Sequence, residues 1–353
     1  MKVAFYAPLK DPHHPVPSGD RTMAQGLIQA LELGGHQVDL TSELRVFDKM
    51  GEPDIQDALF RTAADESARL LADVRAQSWS AWVTYHNYYK APDLIGPVVA
   101  RILNIPYFQI ESTRAKKRLN GPWSQFAIAA EAACDAAHTV FYLTERDAEA
   151  LRRDVPEGQN LVHLRPFLAQ PDLSPDGTRD GPMLAVGMMR HGDKLASYAL
   201  IAETLGQLTG DWQLDIAGDG AARPEVEAMM SRFGDRVRFL GLQDNAALTQ
   251  LYSKASLLFW PGVNEAFGLV YLEAQAAGVP VVAQMRPGVS DVVHSDLVDI
   301  QGGPKAMSAR LTKLLADDAE RNAAGQAARQ AIVENHLLGA AAKTLTDAIQ
   351  AAK

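Results

Sequence analysis

"LLFWPGVNEAFGLVYLEAQAAGVPVVA", residues 257–283, holds a strand, a turn, a helix and the start of a second strand in one short run. "LLFWP" is the kind of unbroken apolar run that parallel sheets bury on both faces, and the helix is expected to begin near Phe267-Gly268. Two carboxylates, Glu265 and Glu273, interrupt this apolar text. A glycine at a helix start offers free N–H groups and the positive end of the dipole to an anion, which suits a phosphate or pyrophosphate flanked by Glu265. Glu273, one to two turns further on, can accept two hydrogen bonds from a vicinal diol such as a ribose, each worth about 1.5–3 kcal/mol. The competing reading makes Glu265 a helix cap and Glu273 a solvated surface residue. The apolar surroundings weigh against it, because a lone buried charge needs a partner.

The same strand-to-helix alternation extends back through the second half: strand "MLAVG", helix near 194–208, strand "WQLDIAG", helix "PEVEAMMSRFG", strand "VRFLG" and helix "ALTQLYSKA". The first half opens on strand "KVAFYAP", a Pro-rich loop through Ser18-Gly19, a helix with Met23, Leu27, Ile28 and Leu31 at helical spacing, and a strand from Val38 to Leu40. "SAWVTYHN" and "IPYFQIES" are further buried strands around the helical "PDLIGPVVARILN". Such alternation predicts an α/β protein with two doubly wound parallel sheets. "RPFLAQPDLSPDGTRDGP", residues 165–182, has the composition of an interdomain linker. The expected domains are 1–168 and 169–335, with a carboxyl-terminal helix at 336–353 packing back toward the first. In doubly wound sheets ligands bind at the carboxyl ends of the strands, so the site is expected in the cleft between the domains.

The chain has 353 residues, enough for two domains of similar weight, with 47% hydrophobic and 22% charged residues. A lone Cys134 allows no internal disulfide, which points to a reducing, cytoplasmic compartment. No run reaches the length of a membrane helix, and a net charge of -9 argues against a nucleic-acid partner.

Other motifs follow strands. In "VGMMRHGDK", Arg190 and Lys194 are four apart at a strand-to-helix turn, where two cations can converge on a diphosphate; otherwise they are surface cations opposing a helix dipole. "IAGDGAARPEVE" places Gly218, Asp219 and Gly220 in a similar turn, a weak signal by itself. There is no G-x-G-x-x-G, no P-loop and no Asp-x-Asp, so cation side chains must offset any phosphate charge. His86 follows a strand, and none of the nine histidines has ligand spacing, so no metal site is expected.

The residues "GDGAARPEVE…VRFLGLQDNAALTQLYSKASLLFWPGVNEAFGLVYLEAQAAGVPVV" resemble the carboxyl domain of retaining glycosyltransferases of the GT-B fold, family 4, over roughly 183–290. Glu, seven residues, Glu is that family's signature. The first half resembles it more loosely, with Ser18-Gly19 where such enzymes carry a Gly-Gly pair. The resemblance implies a hexosyltransferase-type enzyme that binds a nucleoside-diphosphate sugar, UDP favoured, on the second domain and an acceptor on the first, with no cofactor and no metal. Glu273 would hold the ribose, Glu265 a sugar hydroxyl, and Arg190 with Lys194 the diphosphate. Phe267, Gly268, Leu269 and Val270 would support the distal phosphate and sugar, Ser18 and Gly19 would approach from the opposite wall, and Gly218, Asp219 and Gly241 would line the donor. Many relatives carry a histidine after the strand that reads "YFQIES" here; this chain offers Glu111, with His86 one strand earlier as the other contact.

"STRAKKRLNGPWSQF" sets Arg114, Lys116, Lys117 and Arg118 beside Trp123 and Phe126, a mixture suited to an anionic membrane surface or to an exposed solvated helix. The first reading makes the protein peripheral at the inner face of the membrane, with a lipid acceptor such as a diacylglycerol or a lipid-linked glycan. A sugar-nucleotide epimerase and a non-catalytic sugar-nucleotide binding module are the alternatives.

Overall fold

The computed structural model describes residues 1–15, 18–170, 173 and 176–352. Residues 16 and 17 of the Pro-rich loop and 171, 172, 174 and 175 of the expected linker lie outside the described residues. Chain contacts separate two units, Met1–Arg165 with Leu338–Lys353, and Pro166–Leu337. The expected boundaries were 168/169 and 335/336. Residues 166–168 go with the second unit because the Leu168 amide donates to the His336 carbonyl at 2.8 Å and the His336 imidazole meets the Pro166 carbonyl at 2.6 Å.

The first unit alternates β1 (Lys2–Tyr6), α1 (Gly19–Leu33), β2 (Gln37–Ser42), α2 (Pro53–Ala72), β3 (Ala81–Asn87), α3 (Gly96–Leu103), β4 (Tyr107–Ser112), α4 (Ser124–Ala136), β5 (Thr139–Tyr142), α5 (Glu145–Arg153) and β6 (Asn160–His163). Among the described residues these strands form one sheet in the order β2-β1-β3-β4-β5-β6, every pairing parallel. β3 is buried at every position, as a central strand covered on both faces must be.

The second unit repeats the scheme with β7 (Met183–Val186), α6 (Asp193–Leu205), β8 (Leu214–Ala217), α7 (Arg223–Met230), β9 (Val237–Gly241), α8 (Asn245–Lys254), β10 (Leu258–Phe259), α9 (Leu269–Ala276) and β11 (Val281–Val282). Its sheet order is β11-β10-β7-β8-β9, again parallel. Helices α10 (Gly303–Ala316) and α11 (Asp318–Asn335) complete it, and α12 (Leu338–Ala351) returns to the first unit, where it packs on α1 with Leu345 and Ile349 buried.

The segment read as a linker is in part fastened to the second unit. Buried Arg179 donates to Asp176 and to the Gly278 carbonyl, and the amides of Gly177, Thr178 and Gly181 bond to Ala277, Ser253 and Lys254. Pro and Gly composition reports the absence of regular structure, which a well-bonded irregular segment shares with a linker.

Candidate functional site

In the second unit the polar groups gather where strands end and helices begin. Lys194 lies in the first turn of α6, after β7, and Glu265 in the loop after β10. The Lys194 ammonium pairs with Glu265 Oε1, and the same oxygen accepts the indole N–H of fully buried Trp260 at 2.9 Å. Lys194 Nζ stands 5.2 Å from the Trp260 ring centroid, so Trp260 contacts both members of the pair. The side chains are 31% and 13% exposed, which leaves the ammonium accessible while the carboxylate is held in place. The loop is tied to α6 twice more: Asn264, at φ 52°, donates to Asp193, and the Val263 amide donates to Ser197. Arg190 is exposed and makes no side-chain ion pair among the described residues. The structure therefore unites Lys194 with Glu265 and leaves Arg190 apart.

The helix start predicted near Phe267-Gly268 falls at Leu269, with Gly268 before it at φ 81° and no side-chain cap. A Cβ at Gly268 would press on the Tyr271 ring at 2.8 Å, so glycine is required there. The first amides of α9, around Leu269 and Val270, are left without a capping acceptor, and half-buried Phe267 leads into them. Glu273 Oε2 accepts the Tyr252 hydroxyl at 2.9 Å; its other oxygen takes no hydrogen bond among the described residues. Burial raises the Glu273 pKa, and the Tyr252 bond only partly opposes this. The solvated-surface reading of Glu273 is thus excluded, and Glu265 is an ion-pair partner, not a cap.

Gly218 and Asp219 have structural partners. Gly218, at φ 147°, has the Gly187 carbonyl where a Cβ would stand, and its amide donates to the Gly241 carbonyl at 2.8 Å. Asp219 binds Arg223 at 2.8 Å and the Gly220 amide at 2.7 Å.

In the first unit, His86 and Glu111 are adjacent at the ends of β3 and β4, and both occupy left-handed backbone at φ 71° and 58°. Two non-glycine residues in that region on neighbouring strands store backbone strain at the strand ends. His86 Nδ1 lies 3.7 Å from Glu111 Oε2, and His86 Nε2 lies 3.7 Å from Asp20 Oδ1, in the first turn of α1. Tyr85 packs on the His86 ring at 3.9 Å. Burial pulls the His86 pKa down, but Glu111 and Asp20 outweigh it and the net shift is upward. Burial raises Glu111 as well. Ser18 caps α1 by accepting from the Arg21 amide, and Gly19 borders open space. His86 and Glu111, expected as alternatives, are one cluster with Asp20. Trp260, Tyr252 and the role of Asp20 were not foreseen; of these only Asp20, two residues past Ser18, carried a sequence signal.

The basic and aromatic segment is corrected in part. Arg114 is buried between Glu131 and Asp135 at 2.7 and 2.6 Å, Phe126 is fully buried, and Lys116 pairs with Asp154. Residues 116–118 form a single 3₁₀ turn, so the segment is not an exposed helix. No helix among the described residues is long and apolar enough to cross a membrane. An apolar groove of about 1060 Å³ between α2, α3 and α4, lined by Leu71, Val98, Ile105 and Ala133, opens where β4 and β5 begin, away from His86 and Glu111.

A family model described as glycosyl transferases group 1 matches residues 191–331. The chain is 26% identical over 272 residues to the alpha-D-kanosaminyltransferase of Streptomyces kanamyceticus, covering 72% of this chain and 69% of that protein. It is 43% identical over 123 residues to the D-inositol 3-phosphate glycosyltransferase of Salinispora arenicola, spanning only 27% of that relative. Among solved structures, sucrose-phosphate synthase from Thermosynechococcus elongatus superposes with a TM-score of 0.73 at 20% identity, covering 99% of this chain and 98% of that one. Anabaena HepE, solved with UDP, superposes with a TM-score of 0.74 at 15% identity, covering 99% and 100%. The matched segment carries Lys194, Glu265 and Glu273; over residues 191–331 the chain is similar to the glycosyl transferases group 1, and its fold is the GT-B fold.

Proposed function

We propose that this protein is a retaining, family 4 hexosyltransferase that moves a sugar from a UDP-sugar to an acceptor hydroxyl, with side-chain cations instead of a metal offsetting the diphosphate charge. The observation that carries the proposal is the Lys194–Glu265–Trp260 cluster beside the uncapped start of α9. Lys194 neutralises the diphosphate, joined by Arg190, and the amides at Gly268 and Leu269 receive the distal phosphate. Glu265 keeps Oε2 for a sugar hydroxyl while Oε1 holds Lys194. The free oxygen of Glu273 takes the ribose. The acceptor binds the first unit near His86, Glu111 and Asp20. Attack comes from the face the nucleotide leaves, and the departing phosphate oxygen takes the acceptor proton. Catalysis is then electrostatic support of the leaving group, where one lost donor costs roughly 10²–10³ in rate.

UDP is the first nucleotide to try, since HepE was solved with it. A thermal-shift panel of UDP-, GDP- and ADP-sugars tests the donor class, because a ligand at 100 times its Kd stabilises by about 2.7 kcal/mol. UDP release from the stabilising donor then tests turnover. Full activity in both Glu265→Ala and Glu273→Ala would sink the proposal, and donor binding with no turnover would favour a binding module. Flotation with anionic liposomes decides on a lipid acceptor: no binding at low salt removes that class.

A further inference from the structure

The loop after β11 carries a cation that the diphosphate reading leaves unused. β10 lies between β7 and β11, so the loop that holds Glu265 has α6 and Lys194 on one side and residues 284–291 on the other. The two loops touch: Gly288, at φ 83°, has the Ala266 carbonyl where a Cβ would stand, and the Gln284 amide donates to the Pro261 carbonyl at 3.2 Å. Arg286 belongs to this frame, its carbonyl accepting both the amide and the hydroxyl of Ser290 at 3.0 Å. The half-buried guanidinium is fixed as well, with Nε and Nη2 donating to Oε1 of buried Gln284 at 3.0 and 2.5 Å.

That neutral amide oxygen is the only side-chain acceptor of Arg286 among the described residues. Its neighbours on this edge are compensated differently: Lys194 is held by Glu265, and Arg223 by Asp219 and Glu227. A guanidinium does not deprotonate, so Arg286 keeps a full charge facing a neutral oxygen. The bond pattern leaves Nη1 and one Nη2 hydrogen, the edge that suits two oxygens of one carboxylate. Arg286 and Glu265 also act on one group. Burial raises the Tyr271 pKa, Glu265 adds to the rise and Arg286 opposes it, while the Tyr271 hydroxyl donates to the carbonyl of Trp260, whose indole holds Glu265.

Position along the strand ends selects the anion. Glu273, given to the ribose, bonds Tyr252 of α8, the helix that leaves β9; Lys194 follows β7, Glu265 follows β10, and Arg286 follows β11 at the far edge of the sheet. A nucleoside, diphosphate and sugar laid out in that order bring the far side of the sugar to Arg286.

We propose that Arg286 is a specificity residue for the donor and receives the carboxylate of a hexuronic acid, which makes the donor a UDP-hexuronate. This rests on the reading of the second unit as a UDP-sugar site. A neutral hexose offers Arg286 hydroxyls alone, whereas the C6 carboxylate of a uronic acid supplies the opposite charge and leaves the anomeric carbon unchanged. Lys194 offsets Glu265, so the two carboxylates can share the neighbourhood.

Calorimetry on the full chain compares UDP, UDP-glucose with UDP-glucuronate, and UDP-galactose with UDP-galacturonate. Wild type should bind one uronate at least about tenfold more tightly than its hexose, the effect of one charge-assisted contact. Arg286→Met should remove that gap and Arg286→Lys should keep part of it, with the UDP Kd unchanged in both. A hexose bound as tightly as its uronate in both pairs overturns the proposal, and this wild-type comparison decides even where a variant does not fold. So does a uronate preference that Arg286→Met leaves intact, or a loss of UDP affinity in Arg286→Met as large as the loss for the uronate, which would put Arg286 on the diphosphate. UDP that does not bind wild type refutes the UDP-sugar reading and this one with it; UDP that binds without a uronate preference refutes this one alone.

Discussion

Lys194→Ala separates catalytic from structural work at the donor site. The pair it breaks is partly exposed, and such pairs contribute about 0.2–1 kcal/mol to stability. Glu265 keeps its bond from the Trp260 indole, so its charge is not stranded. At roughly 2–4 °C per kcal/mol for a unit of this size, the melting temperature should fall by no more than about 4 °C. Activity should respond quite differently. A lysine that supports the departing diphosphate is worth about 2.7–4 kcal/mol in the transition state, or roughly 10²–10³ in kcat. The UDP Kd should also weaken by roughly tenfold or more, since a charge-assisted bond is lost from the ground state as well. The assay is UDP release from the donor that the thermal-shift panel selects, run beside thermal melts of the same preparations. A variant that melts normally and keeps kcat within about threefold would refute the role given to Lys194. A variant that loses far more than about 4 °C would show that the ion pair is mainly structural.

Glu265→Gln should bind UDP at least as tightly as wild type, because a carboxylate flanking the diphosphate is removed, while slowing turnover; weaker UDP binding measured by calorimetry would place Glu265 on the nucleotide instead. Glu273→Gln should weaken UDP binding at pH 7, and the gap to wild type should close as pH falls, since burial raises the Glu273 pKa and its protonated form resembles the amide. The raised pKa also means that its contribution to stability is present below the unfolded value of about 4.3 and lost as pH rises through the folded one, so Glu273→Gln should melt higher than wild type at pH 7 without ligand. His86 follows the same sign: its elevated pKa gives stability that is full below about 6.5 and lost as pH rises through the native value. Asp20→Asn should lower the His86 midpoint followed by NMR, and an unchanged midpoint would break the pairing. Gly218→Ala, at φ 147° against the Gly187 carbonyl, should lower stability in urea melts by roughly 3 kcal/mol, while Gly19→Ala, bordering open space, should stay within about 1 kcal/mol.

The two-sheet architecture was legible because buried parallel strands read as apolar runs and the intervening helices carry stripes at helical spacing. Helix α2 escaped notice because its inward face is mixed: Gln56 and Ser67 are buried with Ala63 and Leu70. Gln56 is satisfied by Asp48 and by the Pro122 carbonyl, 66 residues away, a partnership that no local pattern encodes. The same holds for Arg114, read as a surface cation, whose counter-ions sit 17 and 21 residues later on α4. The left-handed backbone at Glu111 carries no composition signal either, since glutamate does not favour it, and the enrichment of histidine there is too weak to mark His86. What sequence reports well is a group's position after a strand. Which group it meets there depends on sheet order.

That distinction decides how the proposed donor site is understood. Lys194 and Glu265 are 71 residues apart, in the first turn of α6 after β7 and in the loop after β10, and they meet because the sheet order makes those two strands neighbours. Without that adjacency each would be an ordinary charge at a strand end. With it, Lys194 is held by a carboxylate that is itself fixed by a buried indole, so the ammonium loses little side-chain freedom when a diphosphate arrives. The same pairing offsets the lysine's charge, so on the proposed reading a diphosphate draws part of its attraction from the uncapped amides of α9 and from Arg190. The Lys194–Glu265 pair is therefore ordered more than it is electropositive, and on the proposed reading the difference in charge between ground state and leaving group is where its catalytic effect is to be sought.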